Sequence, residues 1–252
     1  MNGKVLFILT SHKTLLSGQP TGWFLPEAAH PYFRLKEAGY TVEFASPKAR
    51  LPFFSRTRGN RLTCKGGQGG NPPCDPASIT KYRDDEESVK FLVETETREK
   101  VQNSIKLEDV KIKDYIAIDL PQNPHMQALV LSFLGAGKPV ASVCQGPAAL
   151  VDVVDKKTGT KVVEGKKPGQ PSPSAPVQVT CFSNEEEEQY GTVKEIPFLL
   201  ESALSSSGAD FVNKRAPFAE EVVRDGLLLT GGNPASAREV GVQLVRMLQE
   251  GV

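Results

Sequence analysis

The stretch KPVASVCQGPAAL, residues 138–150, decides how this chain is read. Val140, Ala141, Ser142 and Val143 are small or β-branched, the pattern of a short strand buried on both faces. The run stops at Cys144, and Gly146 and Pro147 open a segment, GPAALVDVV, predicted to be helical. A strand that turns directly into a helix is the repeating unit of a parallel sheet, because parallel strands need crossover connections. Such a turn carries Cys144 to the carboxyl edge of the sheet, where open α/β proteins bind ligands.

Working outward, the same alternation recurs on both sides. Before it come VLFILTS (strand), LPEAAHPYFRLKEAG (helix, with Leu25, Ala28, Ala29, Phe33 and Leu35 on one stripe and Gly39 ending it) and YTVEFASP (strand). DYIAI reads as a further strand, followed by a helix starting near Asn123 and ending in glycines. After it, EEVVRDGLLLTGG reads as two short strands about an Arg224-Asp225-Gly226 turn, and a last helix runs from Pro234 to about Gln249. In that helix Val240, Val242, Leu244, Val245 and Leu248 are available to face the sheet. The residues alone thus predict an α/β fold with a mostly parallel sheet covered on both faces.

Two segments break the pattern. Residues 48–76 are basic and then rich in Gly and Pro, and residues 165–178 are rich in Pro and Ser; both are predicted to be exposed loops. The acidic run Glu185–Glu188 reads as the solvated first turn of a helix capped by Ser183 or Asn184. The 30 Lys and Arg balance the 30 Asp and Glu, so no overall field draws the 252-residue chain to nucleic acid or an acidic membrane. The apolar run Val5–Leu9 is too short to span a bilayer and lacks a cleavage site, which predicts a cytoplasmic protein with reduced thiols. Cys64, Cys74, Cys144 and Cys181 lack CxxC spacing, and no Cys/His cluster predicts a metal. Cys64 and Cys74 fall in the loop region, where exposed thiols are open to oxidation.

A free cysteine is more often a small buried hydrophobe than a nucleophile. Three features weigh on the other side for Cys144: its place at the sheet edge, the N–H groups of Gln145 and Gly146 available to a developing oxyanion, and a following helix N-terminus expected to lower the thiol pKa. The nearest acid/base candidate is Glu27, at the start of the first helix and so at the same edge. Burial would keep it protonated and able to pass protons. Its ordinary reading is an acidic residue in a helix first turn. His30, one turn on from Glu27, is placed to orient it or simply to pack; His12 and His125 carry less.

The segments LPEAAHPYFRLKEAGYTVEFASP, DPASI, LPQNPHMQALV, KPVASVCQGPAAL, CFSNEEE, IPFLLESAL and LLLTGGNPASA resemble, in order, the ThiJ/PfpI superfamily of class I glutamine-amidotransferase-like proteins. Within it they resemble the glyoxalase III branch, which includes heat-shock chaperones and glutathione-independent glyoxalases. The resemblance implies a flavodoxin-like three-layer sandwich over residues 1–252 as one domain, with loop insertions near 49–65 and 167–178, and a homodimer. It implies Cys144 as nucleophile and Glu27 as its acidic partner, a small dicarbonyl substrate, methylglyoxal, converted to lactate, and no cofactor or metal.

Two departures stand out. The branch has histidine directly after the nucleophile, where this chain has Gln145, an amide that cannot carry a proton near neutral pH. A Gly-Gly-His-Gly loop that lines the family's pocket is missing, since Ile118 runs straight into Asp119-Leu120-Pro121. The alternative reading is therefore a stress protein without turnover: a holdase chaperone, or a redox sensor whose low-pKa Cys144 is readily oxidised. Amidase chemistry ranks last, because no histidine and acid recur together late in the chain.

Overall fold

The computed structural model describes residues 3–47, 72–120, 126–155, 158–164 and 175–251. Among these residues, seven strands form one sheet: β1 (Lys4–Ile8), β2 (Thr41–Ser46), β3 (Ile105–Lys106), β4 (Ala117–Leu120), β5 (Val140–Val143), β10 (Val222–Asp225) and β11 (Leu228–Gly231). Short pairs lie outside it: β6 (Val154–Asp155) with β7 (Thr160–Lys161), and β8 (Gln178–Val179) with β9 (Asp210–Phe211). The sheet order is β10-β11-β5-β4-β1-β2-β3, and every neighbouring pair is parallel except the β10–β11 hairpin. From β1 the chain builds outward through β2 and β3, then returns to the other side of β1 with β4. The switch point therefore falls between β1 and β4.

The α-helices among the described residues are α1 (Leu25–Glu37), α2 (Pro76–Lys81), α3 (Glu86–Val93), α4 (Thr95–Gln102), α5 (Gln127–Gly135), α6 (Asn184–Tyr190), α7 (Leu200–Ser206) and α8 (Ala237–Gln249). Alternation along each strand divides the core in two. Val5, Phe7, Ala117, Ala141 and Val143 pack with α1, α3 and α8, whereas Leu6, Ile8, Ile118 and Val140 pack with α5 and α7. This is the expected sheet flanked by helices, the flavodoxin-like arrangement.

On the first face, α1 and α8 lie close enough that a Cβ at Gly241 would come within 2.7 Å of the Pro31 Cα, so only glycine fits there. Met247 and Gly241 take inward places in α8 that the pattern gave to Val242; Val240 and Leu244 are buried as expected. α3 and α4 are additions to the predicted alternation, each too short for a periodic stripe. The Asp85 carboxylate caps α3 by accepting from the Ser88 N–H at 2.8 Å.

Several expectations are corrected. GPAALVDVV is not an α-helix: Gly146–Leu150 form one 3₁₀ turn, and the chain then leaves for β6. Asp152 adopts φ +56 and is held there by Ser207 and Lys161, while the β-branched Val151, Val153 and Val154 favour extended backbone. The segment 72–75 is not a free loop, because Trp23 donates its N–H to Pro73 O at 2.8 Å and accepts from Asp75 N at 2.9 Å, burying Cys74. Cys74 is therefore shielded from the oxidation expected of it. The acidic run is solvated only at its ends: Glu185 and Glu188 are exposed, but Glu186 and Glu187 are fully buried, and Ser183 caps α6 through a capping box. Cys64, Asn123, His125, the insertion near 49–65 and most of that near 167–178 lie outside the described residues.

Candidate active site

The carboxyl ends of β1, β4 and β5 open onto a cavity of about 960 Å³ lined by Glu27, Cys144, Gln145 and Gly146, with Asp119, His12 and Lys81 also on its wall. It sits beside the switch point, where the loops leaving adjacent strands diverge and leave room for a ligand. The structure thus brings Cys144, Glu27, Gln145 and Gly146 to one cavity.

Cys144 follows β5 directly and adopts φ +60, a left-handed conformation that costs a non-glycine residue about 1–3 kcal/mol. Two hydrogen bonds hold it: its N–H donates to Gly231 O at 2.8 Å, and its carbonyl accepts from the Phe182 N–H at 2.9 Å. This is the geometry of a nucleophile elbow, which lifts the side chain off the strand end into the cavity. Next along the chain, the Gln145 and Gly146 N–H groups donate no hydrogen bond among the described residues, so both can serve an oxyanion.

Glu27 comes to the thiol from α1. Phe24 gives the N-terminus of α1 no side-chain cap, but the Leu25 N–H donates to Ser78 Oγ at 3.1 Å, and Pro26 occupies the first turn. The Glu27 carboxyl lies beside the Cys144 thiol on the cavity wall, and its Oε1 is buried with no partner among the described residues. Burial pushes the Glu27 carboxyl up to about 8, and the negative charges of Asp119 and Asp75 add to that; the Cys144 contact works the other way. Burial also pushes the Cys144 thiol well above its usual range, with Glu27 and Glu187 reinforcing it. The expected lowering by a helix N-terminus does not occur, because the turn after Cys144 is a short 3₁₀ segment with little dipole and the neighbouring groups are acids. At neutral pH the resting pair is a carboxylic acid beside a thiol.

Two acids of this site were not picked out in the sequence. Asp119 lies in β4 opposite Phe7 of β1 and Ala141 of β5, so it shares their sheet face beneath the start of α1, and it is almost fully buried. An aspartate at the end of a buried strand is the signal that marks it. Glu187 accepts a hydrogen bond from Gln145 Nε2 at 2.6 Å and another from Thr192 Oγ1. Burial raises its pKa. Nothing in a run of four glutamates distinguishes it. His30 does not orient Glu27: its Nε2 is paired with Asp85 Oδ1 at 2.9 Å. Among the described residues no group of side chains could hold a metal, and no helix is long and apolar enough to cross a membrane.

No family model matches the chain. Curated relatives do. The glutathione-independent glyoxalase HSP31 of Saccharomyces cerevisiae is 26% identical over 258 residues, covering 98% of each chain. The Rapid Encystment Protein of Francisella tularensis is 27% identical with a TM-score of 0.78, over 98% of this chain and 99% of that one. Glyoxalase III of Candida albicans, 23% identical over 97% and 96% of the two chains, shares the fold with a TM-score of 0.76. Along nearly its whole length the chain is similar to glutathione-independent glyoxalases. Gln145, held by Glu187, occupies the position after Cys144 where the resemblance implies a histidine.

Proposed function

We propose that this protein is a glutathione-independent glyoxalase that converts methylglyoxal to lactate, with Cys144 as nucleophile, Glu27 as acid/base, and the Gln145 and Gly146 N–H groups as oxyanion donors. The observation that carries it is the pairing of Glu27 with Cys144 at the elbow, side by side on the wall of the cavity. The ionised Glu27 carboxylate takes the thiol proton, and the thiolate adds to the aldehyde carbon. Glu27 returns a proton to the C1 oxygen, giving a hemithioacetal. It then moves the C1 hydrogen to C2 while the hydroxyl proton passes from the C1 oxygen to the C2 oxygen. The resulting thioester is hydrolysed by water, which releases lactate and restores the thiol. Oxidation at C1 balances reduction at C2, so no external redox partner is needed.

The test is lactate formation from methylglyoxal without glutathione. Wild type forms lactate and Cys144→Ala does not; lactate formation that survives Cys144→Ala would refute the assignment. The homodimer and cytoplasmic placement implied by the resemblance are part of the same proposal, checked by light scattering and by fractionation.

One observation favours a second reading, a holdase. Leu16 is 68% exposed, and Val193, Phe198, Tyr190 and Phe218 are exposed with it around or near the cavity mouth. A holdase suppresses aggregation of a heated client equally well with Cys144→Ala, which separates the two readings. The redox-sensor form loses its basis, since a thiol pushed upward carries little thiolate.

A further inference from the structure

The cavity is larger than a three-carbon dicarbonyl requires: 960 Å³ lies at the top of the ~300–1,000 Å³ range that suits ligands of drug size. One wall beside the nucleophile is aromatic. The Phe182 backbone is bonded to Cys144, and the Phe182 ring meets Tyr190 edge-on at 6.1 Å and Phe218 at 6.0 Å. Lys81, at the end of α2, forms the outer lip with its Nζ 5.3 Å from the Tyr190 centroid and 6.0 Å from that of Phe218.

Phe218 is held deliberately. It adopts φ +62, and its N–H donates to Glu186 Oε1 at 2.7 Å, a carboxylate also held by Arg215 and Asn233. A non-glycine residue keeps such a conformation only where its surroundings impose it. Apart from Lys81 at the lip, the charged groups on the cavity wall are the acids Asp75, Asp119 and Glu195, which disfavours an anionic ligand.

We infer that the wall of Phe182, Tyr190 and Phe218 is a subsite for an aromatic substituent, and that the preferred substrate is a neutral aryl-substituted 2-oxoaldehyde rather than methylglyoxal. An aryl ring packing edge-to-face on these side chains gains both buried area and ring contact, so the preference is on the order of tenfold or more. The inference rests on the glyoxalase reading for its chemistry, but the subsite can be tested without turnover.

The experiment is protection of Cys144 from iodoacetamide, resolved by mass spectrometry, using acetophenone and acetone as inert neutral ketones. Acetophenone protects at a concentration at least about tenfold lower than acetone in the wild type, and the Tyr190→Leu/Phe218→Leu double variant loses most of that ratio. Equal protection by the two ketones, or a ratio undiminished in the double variant, overturns the subsite. In parallel, kcat/KM for phenylglyoxal exceeds that for methylglyoxal in the wild type. Protection by acetophenone without turnover of either aldehyde would uphold the subsite and refute the glyoxalase reading.

Discussion

Two buried glutamates on either side of the cavity show what separates a structural carboxylate from a chemical one. Glu186 has no exposure and accepts from Arg215 Nη1 and Nη2 at 2.5 and 2.8 Å, from the Ser183 and Phe218 N–H groups, and from Asn233 Nδ2. Burial alone would raise its pKa, yet these donors pull it down to about 2. Glu27 has only a thiol beside it and keeps Oε1 unpartnered, and burial pushes it up to about 8. Both sites exclude water; only the supply of donors differs. The first is a fixed anion that ties the loop carrying Phe218 to α6, and the second is a store for a proton.

The largest effect comes from dismantling the satisfied site. Arg215→Ala leaves Glu186 charged and unpaired in the interior, with a loss of about 3–5 kcal/mol in denaturant unfolding at pH 7. The sign of the pH dependence follows from the lowered pKa. Stabilisation from Glu186 is present above its unfolded value and is lost as pH falls from about 4.5 toward about 2. The wild type therefore weakens across that window and the variant is flatter. A loss below about 1 kcal/mol would show that the pair is structurally idle.

Glu27→Gln has the opposite sign. With a folded pKa above the unfolded one, the contribution of Glu27 is fully present below about 4.5 and is lost as pH rises through about 8. A neutral amide removes that burden, so the variant is more stable than wild type by up to about 4 kcal/mol at pH 8, read from unfolding curves. Lactate formation falls about a hundredfold or more, because the proton carrier is gone. Equal stability at pH 8 would mean that Glu27 is ordinarily solvated. A gain in stability with a loss of turnover is the pattern of a residue kept for chemistry.

This contrast also marks how far the sequence could be read. The strand patterns placed Cys144 and Glu27 at one edge of a parallel sheet, because apolar runs and glycine stops follow from backbone geometry that short windows capture. The short elements were not legible: Pro147 and Gly146 signal a turn, but whether it lengthens into a helix depends on Asp152 and its partners Ser207 and Lys161, all distant in sequence. The glutamates of α6 look alike in a window of seven residues. Their burial is set by Arg215, Asn233 and Gln145, which only the fold brings to them. Asp119 was visible as a residue but not as part of the site, since its place on the α1 face depends on pairing with β1 and β5.

Gln145→His tests whether the amide limits the rate. An imidazole at that position meets the Glu187 carboxylate that now accepts from the amide at 2.6 Å, and can take the thiol proton at neutral pH. Turnover at pH 7 rises on the order of tenfold. Adding Glu187→Gln removes most of the gain, because the imidazolium loses its charge partner. No gain would mean that Glu27 already carries every proton the reaction moves.

The subtlest test is Asp119→Asn, which changes neither nucleophile nor base. The groups whose charge bears on Glu27 are Cys144 from the elbow, Asp119 from β4, and Asp75 at the start of α2, with Tyr82 and Tyr190 close enough to sense it in turn. The resting acid must lose its proton before it can accept that of the thiol, so kcat/KM rises with pH through a midpoint near 8. Replacing the Asp119 carboxylate by an amide removes one negative charge that opposes ionisation, while the burial of Glu27 remains. The midpoint moves down, by less than the full displacement of Glu27 from its ordinary value, and turnover at pH 7 increases. An unmoved midpoint with a lower plateau would make Asp119 a packing residue and would assign the raised pKa to burial alone.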